Sequence, residues 1–209
     1  MQVDVWSDVV CPWCYLGTRR LNRAIEASGL AVEVTHHAFE LDPTRPRGVV
    51  ESQLELLVTK YHATPEQIRA SWANLEQLGE AEGITYRFEG GQVGNSADAH
   101  RLVRLGLDAG LQSVVLDRLF RAHFSEGRSI FDHASLTELG VEAGLDRAEV
   151  AAVLASDQYA AEVAEDQAIA RSLGVTGVPF FVLDRRYGVS GAQPVETLES
   201  ALAQAAGQA

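Results

Sequence analysis

The sequence predicts an α/β domain assembled from both chain ends and interrupted by a large all-helical insertion. A strand-helix-strand pattern opens the chain, a block that reads almost entirely as helices runs from about Val50 to Leu173, and two short strands and a helix close it. On this reading residues 1–45 and 165–209 form the α/β domain and residues 46–164 form the insertion.

Gln2, Val3, Asp4, Val5 and Trp6 alternate polar with apolar, the two-residue period of a strand. Beyond Cys11 the period changes: Leu16, Arg20, Leu21, Ala24 and Ile25 recur at helical spacing, and Ser28 with Gly29 supplies a stop. Leu30 to Phe39, carrying Val32, Val34 and Thr35, predicts a second strand. In the insertion, Thr64, Pro65 and Gln67 form a capping box with proline at the first helical position, and Ile68, Trp72, Leu75 and Leu78 follow on one face. Asp146 and Glu149 repeat the device, while Asn95, Asp132 and Ser156 are candidate N-caps for three further helices. LGLDAGL (Leu105–Leu111) and LGVEAGL (Leu139–Leu145) echo each other 34 residues apart. A solenoid needs about three copies, so the echo reads as two helix ends that use glycine as a C-cap. Pro179–Leu183 and Tyr187–Ser190 predict two strands joined at Asp184, Arg185 and Arg186, and Val195, Leu198 and Leu202 mark a final helix from about Pro194 to Ala205.

The 209-residue chain is long enough to bury a core without disulfide staples, and 46% hydrophobic with 22% charged residues is an ordinary globular composition. A net charge of -12 repels a phosphate backbone, which argues against nucleic acid as a partner. The sequence has no run of about 18 apolar residues, so no membrane partner is expected. Its start lacks the basic and apolar regions of a secretory leader, which gives cytoplasmic localisation as the expectation. Structural disulfides are rare in that compartment, so a close cysteine pair points to redox or metal chemistry.

Both cysteines lie in VDVWSDVVCPWCYLG, Val3–Gly17, at the junction of the first strand and first helix. Cys11 is expected in the first turn, where free N–H groups and the positive end of the helix dipole favour a thiolate by about 0.3 to 1 kcal/mol. Cys14, one helical turn on, points to the same side and lies deeper, which suits a resolving thiol that breaks a mixed disulfide by internal attack. Pro12 fits the first turn, where its missing N–H has no intrahelical partner. It also withdraws one donor from the thiolate, which argues against an extreme oxidant. A zinc site needs about four ligands, and His36, His37, His62, His100, His123 and His133 include no pair at H-x3-5-H spacing, so no metal is expected.

The CPWCYLG motif on a helix, the helical insertion and VTGVPFFVLDRRYGVSGAQ together resemble the DsbA-like branch of the thioredoxin superfamily, with the nearest likeness to its cytosolic FrnE-type subgroup. The resemblance spans essentially the whole chain and implies a thioredoxin-like fold with a protein dithiol-disulfide oxidoreductase activity. It implies Cys11 and Cys14 as catalytic residues and no cofactor beyond this redox-active pair. The partners are then thiol or disulfide substrate proteins or small thiols. It further implies a cis Val178–Pro179 bond facing the cysteines. Val178 would then offer its N–H and C=O to an extended substrate, and Pro12 and Trp13 would flank it. Read without the family, Pro179 is the first residue of a strand, a permitted place for proline.

The same branch includes glutathione-dependent kappa-class transferases and hydroxychromene carboxylate isomerases, which generally carry serine at the position of Cys11. Such an activity is the alternative reading, with glutathione as a candidate co-substrate. Asn95, Ser96 and His100 resemble an N-S-x-x-x-H element of those relatives and are candidate glutathione contacts, although Asn95 and Asp98 also read as a plain helix cap. Gly191, Ala192 and Gln193 stand where the relatives carry a polar residue and an aspartate after glycine. Asp8 is a candidate proton acceptor for Cys14 or, more plainly, an exposed loop carboxylate. Trp13 is expected beside the thiols, and Trp6 and Trp72 in the core.

Overall fold

A computed structural model describes residues 1–207 and divides the chain into two units, Met1–Leu41 with Ala160–Ala209, and Asp42–Tyr159. The final positions of the expected α/β domain, 208 and 209, lie outside the described residues. In chain order the elements are β1 (Gln2–Ser7), α1 (Pro12–Ser28), β2 (Glu33–Ala38), β3 (Glu51–Ser52), α2 (Gln53–Tyr61), α3 (Pro65–Glu80), β4 (Gln92–Val93), α4 (Ala97–Asp108), α5 (Gln112–Phe124), α6 (His133–Glu142), α7 (Arg147–Leu154), α8 (Ala160–Ser172), β5 (Phe180–Leu183), β6 (Tyr187–Ser190) and α9 (Val195–Ala205).

The first unit is a mixed sheet of order β2-β1-β5-β6. β1 runs parallel to β2, with Val3 opposite Val34, and antiparallel to β5, with Val5 opposite Phe181. α1 supplies the crossover that a parallel pair requires. It ends where Gly29 takes a left-handed conformation and returns its N–H to the Glu26 carbonyl. The alternation along β1 separates two covered faces rather than a core face from solvent. Val3 and Val5 pack with Phe181 and Leu183 against Leu21 and Ala24 of α1 and Leu198 and Leu202 of α9. Trp6 points the other way and packs with Ala170 of α8, Val175, Val178, Phe180 and Val182. Asp4 shares that second face and is buried.

Two elements are shorter than expected. β2 begins at Glu33 and β5 at Phe180, while Leu30 and Val32 contribute to the core from the turn that precedes β2.

The second unit holds α2 to α7 and the two-stranded β3–β4 ladder, which was not expected from the sequence. Its caps follow local chemistry. Thr64 and Gln67 form the reciprocal capping box, Asp132 accepts from the Ser135 N–H, and Asp146 accepts from the Ala148 and Glu149 N–H groups. Two expected caps are corrected. α4 is preceded by Ser96, and Asn95 instead accepts from the Ala97 N–H and donates to the Arg45 carbonyl, bracing the loop before it. Ser156 closes α7, its hydroxyl donating to the Ala152 carbonyl, and α8 starts four residues later.

The sequence echo has a physical basis in both halves. Gly110 and Gly144 adopt positive φ after α4 and α6, where a side chain is disfavoured. Gly106 and Gly140 each bring a backbone so near the next helix that a methyl would lie 2.9 Å from Val115 and Val150 respectively. Buried Arg101, not singled out in the sequence, donates to the Val153, Ser156 and Gln158 carbonyls and to Asp98, and so fastens the segment after α7 to α4.

Candidate active site

The site is built where β1 runs into α1. Cys11 is the N-cap of α1, one position ahead of the helical turn in which it was expected, and Pro12 follows at N1. The Cys11 N–H donates to the Asp8 carbonyl at 3.0 Å, closing the turn, and the Cys11 carbonyl accepts from the Cys14 N–H at 3.0 Å. Both cysteines are free thiols and both are buried, Cys11 at 5% exposure and Cys14 at 0%.

The Cys11 thiol donates to the Val178 carbonyl at a Sγ–O distance of 3.7 Å, across 167 positions of sequence. The Val178–Pro179 bond is cis, and the Pro179 carbonyl accepts from the Gly191 N–H at 2.8 Å. Cys11, Cys14, Pro12, Val178 and Pro179 are therefore gathered in one unit, with the indole of Trp13 39% exposed beside them. Trp6 and Trp72 are buried in the core.

Burial, first, and the hydrogen bond and charge of Cys11, second, hold the Cys14 thiol well above the usual thiol range. The backbone amide of Asp8 acts in the opposite direction, and the Asp8 carboxylate adds to the rise. Asp8 is not the exposed loop carboxylate of the plainer reading: it is 0% exposed. Its carboxylate accepts from the Val10 N–H at 3.3 Å and from the Leu41 N–H at 2.7 Å, which draws it inward and ties the cysteine loop to the segment that follows β2.

A second buried polar group lies in the same unit, and the H-x3-5-H spacing of a zinc site gives no sign of it, because its carboxylates come from β1 and α8. His37 meets Asp166 through Nδ1 at 2.8 Å and Asp4 through Nε2 at 2.9 Å, and it stacks on Trp6 with ring centroids 4.5 Å apart. Asp166 also accepts from the Ala38 N–H, and its carbonyl takes the Trp6 indole N–H. Burial works against a charge on His37, but its hydrogen bonds to Asp166 and Asp4 and their charges outweigh it, so protonation is favoured above the ordinary histidine range. The two strand neighbours differ in this respect. Burial, and then the charge of His37, bring His36 down to about 4.

Asn95, Ser96 and His100, the candidate glutathione contacts, lie in the helical unit at the start of α4. Asn95 is engaged with the loop as described, Ser96 makes no side-chain cap bond, and His100 is buried. In the last turn of the other unit, Gln193 donates to the Ser190 carbonyl and Arg20 of α1 donates to the Ala192 carbonyl at 2.7 Å.

Among the described residues no helix is long and apolar enough to cross a membrane. The sequence pattern of the DSBA-like thioredoxin domain matches residues 2–203. A probable DsbA oxidoreductase from Streptomyces coelicolor is 47% identical and superimposes with a TM-score of 0.96, covering 100% of this chain and 91% of that one. The cytosolic disulfide reductase DsbM of Pseudomonas aeruginosa, solved with GSH, is 26% identical with a TM-score of 0.69, covering 98% of each chain. YwbO of Bacillus subtilis, an uncharacterized protein, is 26% identical over 206 residues, 97% of this chain and 96% of that one.

Proposed function

We propose that this chain, which belongs to the DsbA-like thioredoxin domain family, exchanges dithiols and disulfides of protein or small-thiol substrates through Cys11 and Cys14. The observation that carries the reading is the placement of Cys11: at the mouth of α1, more exposed than Cys14, with its sulfur 3.7 Å from the Val178 carbonyl. Catalysis here needs one sulfur able to meet a substrate and a second able to reach only the first.

In the reducing direction the Cys11 sulfur attacks one sulfur of the substrate disulfide. A bond forms between Cys11 and that sulfur, the substrate bond breaks, and the departing sulfur leaves as a thiolate that takes up a proton. Cys14 then gives up its proton and attacks Cys11, forming the Cys11–Cys14 disulfide and releasing the second substrate thiol. The enzyme dithiol has lost two electrons and the substrate has gained them. Burial of Cys14 and its retained proton keep it out of the first step.

The Val178 N–H and C=O would pair with an extended substrate segment, displacing the Cys11 thiol from the carbonyl when the sulfur reacts. Pro12 and the exposed Trp13 would form the apolar rim. No resident cofactor is needed for these steps. The likeness to a cytosolic disulfide reductase solved with GSH supports cytoplasmic placement, the reducing direction and glutathione as the small thiol that restores the dithiol. The presence of cysteine rather than serine at position 11 favours exchange over the glutathione-dependent isomerase reading.

The test is glutathione-coupled reduction of insulin or a peptide disulfide. Wild type is expected to turn over and Cys11→Ser to fall to the uncatalysed rate. Full activity in Cys11→Ser would reject the proposal.

A further inference from the structure

Gly17 lies inside α1, about one and a half turns from its start, with no left-handed backbone to explain a glycine there. Space explains it. A methyl on its Cα would lie 2.7 Å from Cγ of Pro179 and 3.3 Å from Cζ of Phe181. Neither neighbour can step aside easily: a proline ring has no free side-chain rotation, the Pro179 carbonyl is held by the Gly191 N–H, and Phe181 is fully buried among Val3, Val5 and Leu21. Three residues on, Arg20 ties the same helix to the Ala192 carbonyl. The contact between α1 and the start of β5 is thus backbone against proline ring, with nothing between them.

The attacking sulfur and the backbone that would align its substrate sit at the ends of this contact. Cys11 caps α1, and Val178 immediately precedes Pro179. Any group that lifts α1 off Pro179 also separates the Cys11 sulfur from the Val178 backbone. We propose that Gly17 is a positioning residue, whose missing side chain sets the spacing between Cys11 and the Val178 strand on which an extended disulfide substrate is aligned. The inference rests on the exchange reading above and adds to it a requirement for main-chain alignment of the substrate.

The test compares wild type, Gly17→Ala and, as a crowding control in the helical unit, Gly140→Ala, whose methyl would meet Val150 at 2.9 Å. In crystal structures of Gly17→Ala the Cys11 Sγ to Val178 O distance should exceed the 3.7 Å of the present structure. Its kcat/KM for a peptide disulfide should fall about 10- to 100-fold, chiefly through KM, as expected for a displacement near 1 Å. Reaction with a small aromatic disulfide, which needs no strand alignment, should stay unchanged. Gly140→Ala should lower Tm and leave both rates alone. An unchanged distance, or an equal loss towards both disulfides, overturns the proposal. Should wild type turn over no disulfide at all, the exchange reading fails, while the distance still decides whether Gly17 sets the spacing. If Gly17→Ala does not fold, the double variant Gly17→Ala, Pro179→Ala is compared with Pro179→Ala alone. With the ring gone the 2.7 Å clash is removed and only the 3.3 Å approach to Phe181 and the 3.4 Å approach to Cβ of residue 179 remain. The added methyl should then lower the rate by less than about twofold, and a further loss of about tenfold or more overturns the proposal.

Discussion

In the helical unit three ion pairs lie near the surface, apart from the one that buried Arg101 makes with Asp98: Arg118 and Arg128 each reach Glu142 at 2.8 Å, and Arg147 reaches Glu138 at 2.7 Å. In the unit built from the chain ends, Asp4 of β1, His37 of β2 and Asp166 of α8 meet with little water around them, the last two from positions 129 residues apart. Position relative to water decides what such contacts are worth. The two arginines pull Glu142 down to about 2, yet its side chain is 42% exposed, and exposed pairs contribute little net stability. The buried group joins three elements, so removing its centre leaves two carboxylates with less compensation.

The comparison can be broken most forcefully at His37. His37→Ala should cost about 3 to 5 kcal/mol in unfolding free energy, measured by denaturant titration at pH 6. A cost under about 1 kcal/mol would put the buried group on a par with surface pairs. The sign with pH is set by the raised affinity of folded His37 for its proton. Its stabilisation is fully present below the unfolded value of about 6.5 and is lost as pH rises through the higher folded value. The gap between wild type and His37→Ala should therefore narrow on the alkaline side.

His36 sharpens the same contrast from the acid side. Its folded value of about 4 lies below the unfolded one, so its contribution is present above pH 6.5 and is lost as pH falls towards 4. The loss is on the order of 3 kcal/mol, and Tm followed from pH 7 to pH 4 should fall less steeply in His36→Leu than in wild type. Equal slopes would contradict the assignment. The smallest effect belongs to the surface network. Glu142→Ala should cost less than about 1 kcal/mol and still less in high salt. A salt-independent cost of several kcal/mol would erase the distinction between the units.

The same division separates what was legible in the sequence from what was not. Signals that act within about four residues were readable. They include the Thr64 capping box, the glycine ends of α4 and α6, proline after Cys11 and the CPWC turn itself. Asn95 and Ser156 misled because a short polar side chain can serve a loop or close a helix as readily as begin one, and their chosen partners were Arg45 and Ala152. Asp8 gave no local sign of burial, since one of its carboxylate partners, Leu41, is 33 positions away. Asp4 looked like the polar half of an alternating strand, and only the packing of α8 on that face turns it inward. Gly17 stood in plain view within CPWCYLG, but its reason, the ring of Pro179, lies at the other end of the chain.

The central claim is a division of labour between two sulfurs, and trapping tests it most directly. Cys14→Ser, incubated with a peptide disulfide and read by intact mass, should accumulate a stable covalent adduct on Cys11. Cys11→Ser should accumulate none, because Cys14 is 0% exposed. Adduct formation by Cys11→Ser at the rate of Cys14→Ser, or catalytic turnover by Cys14→Ser without any adduct, would contradict the account.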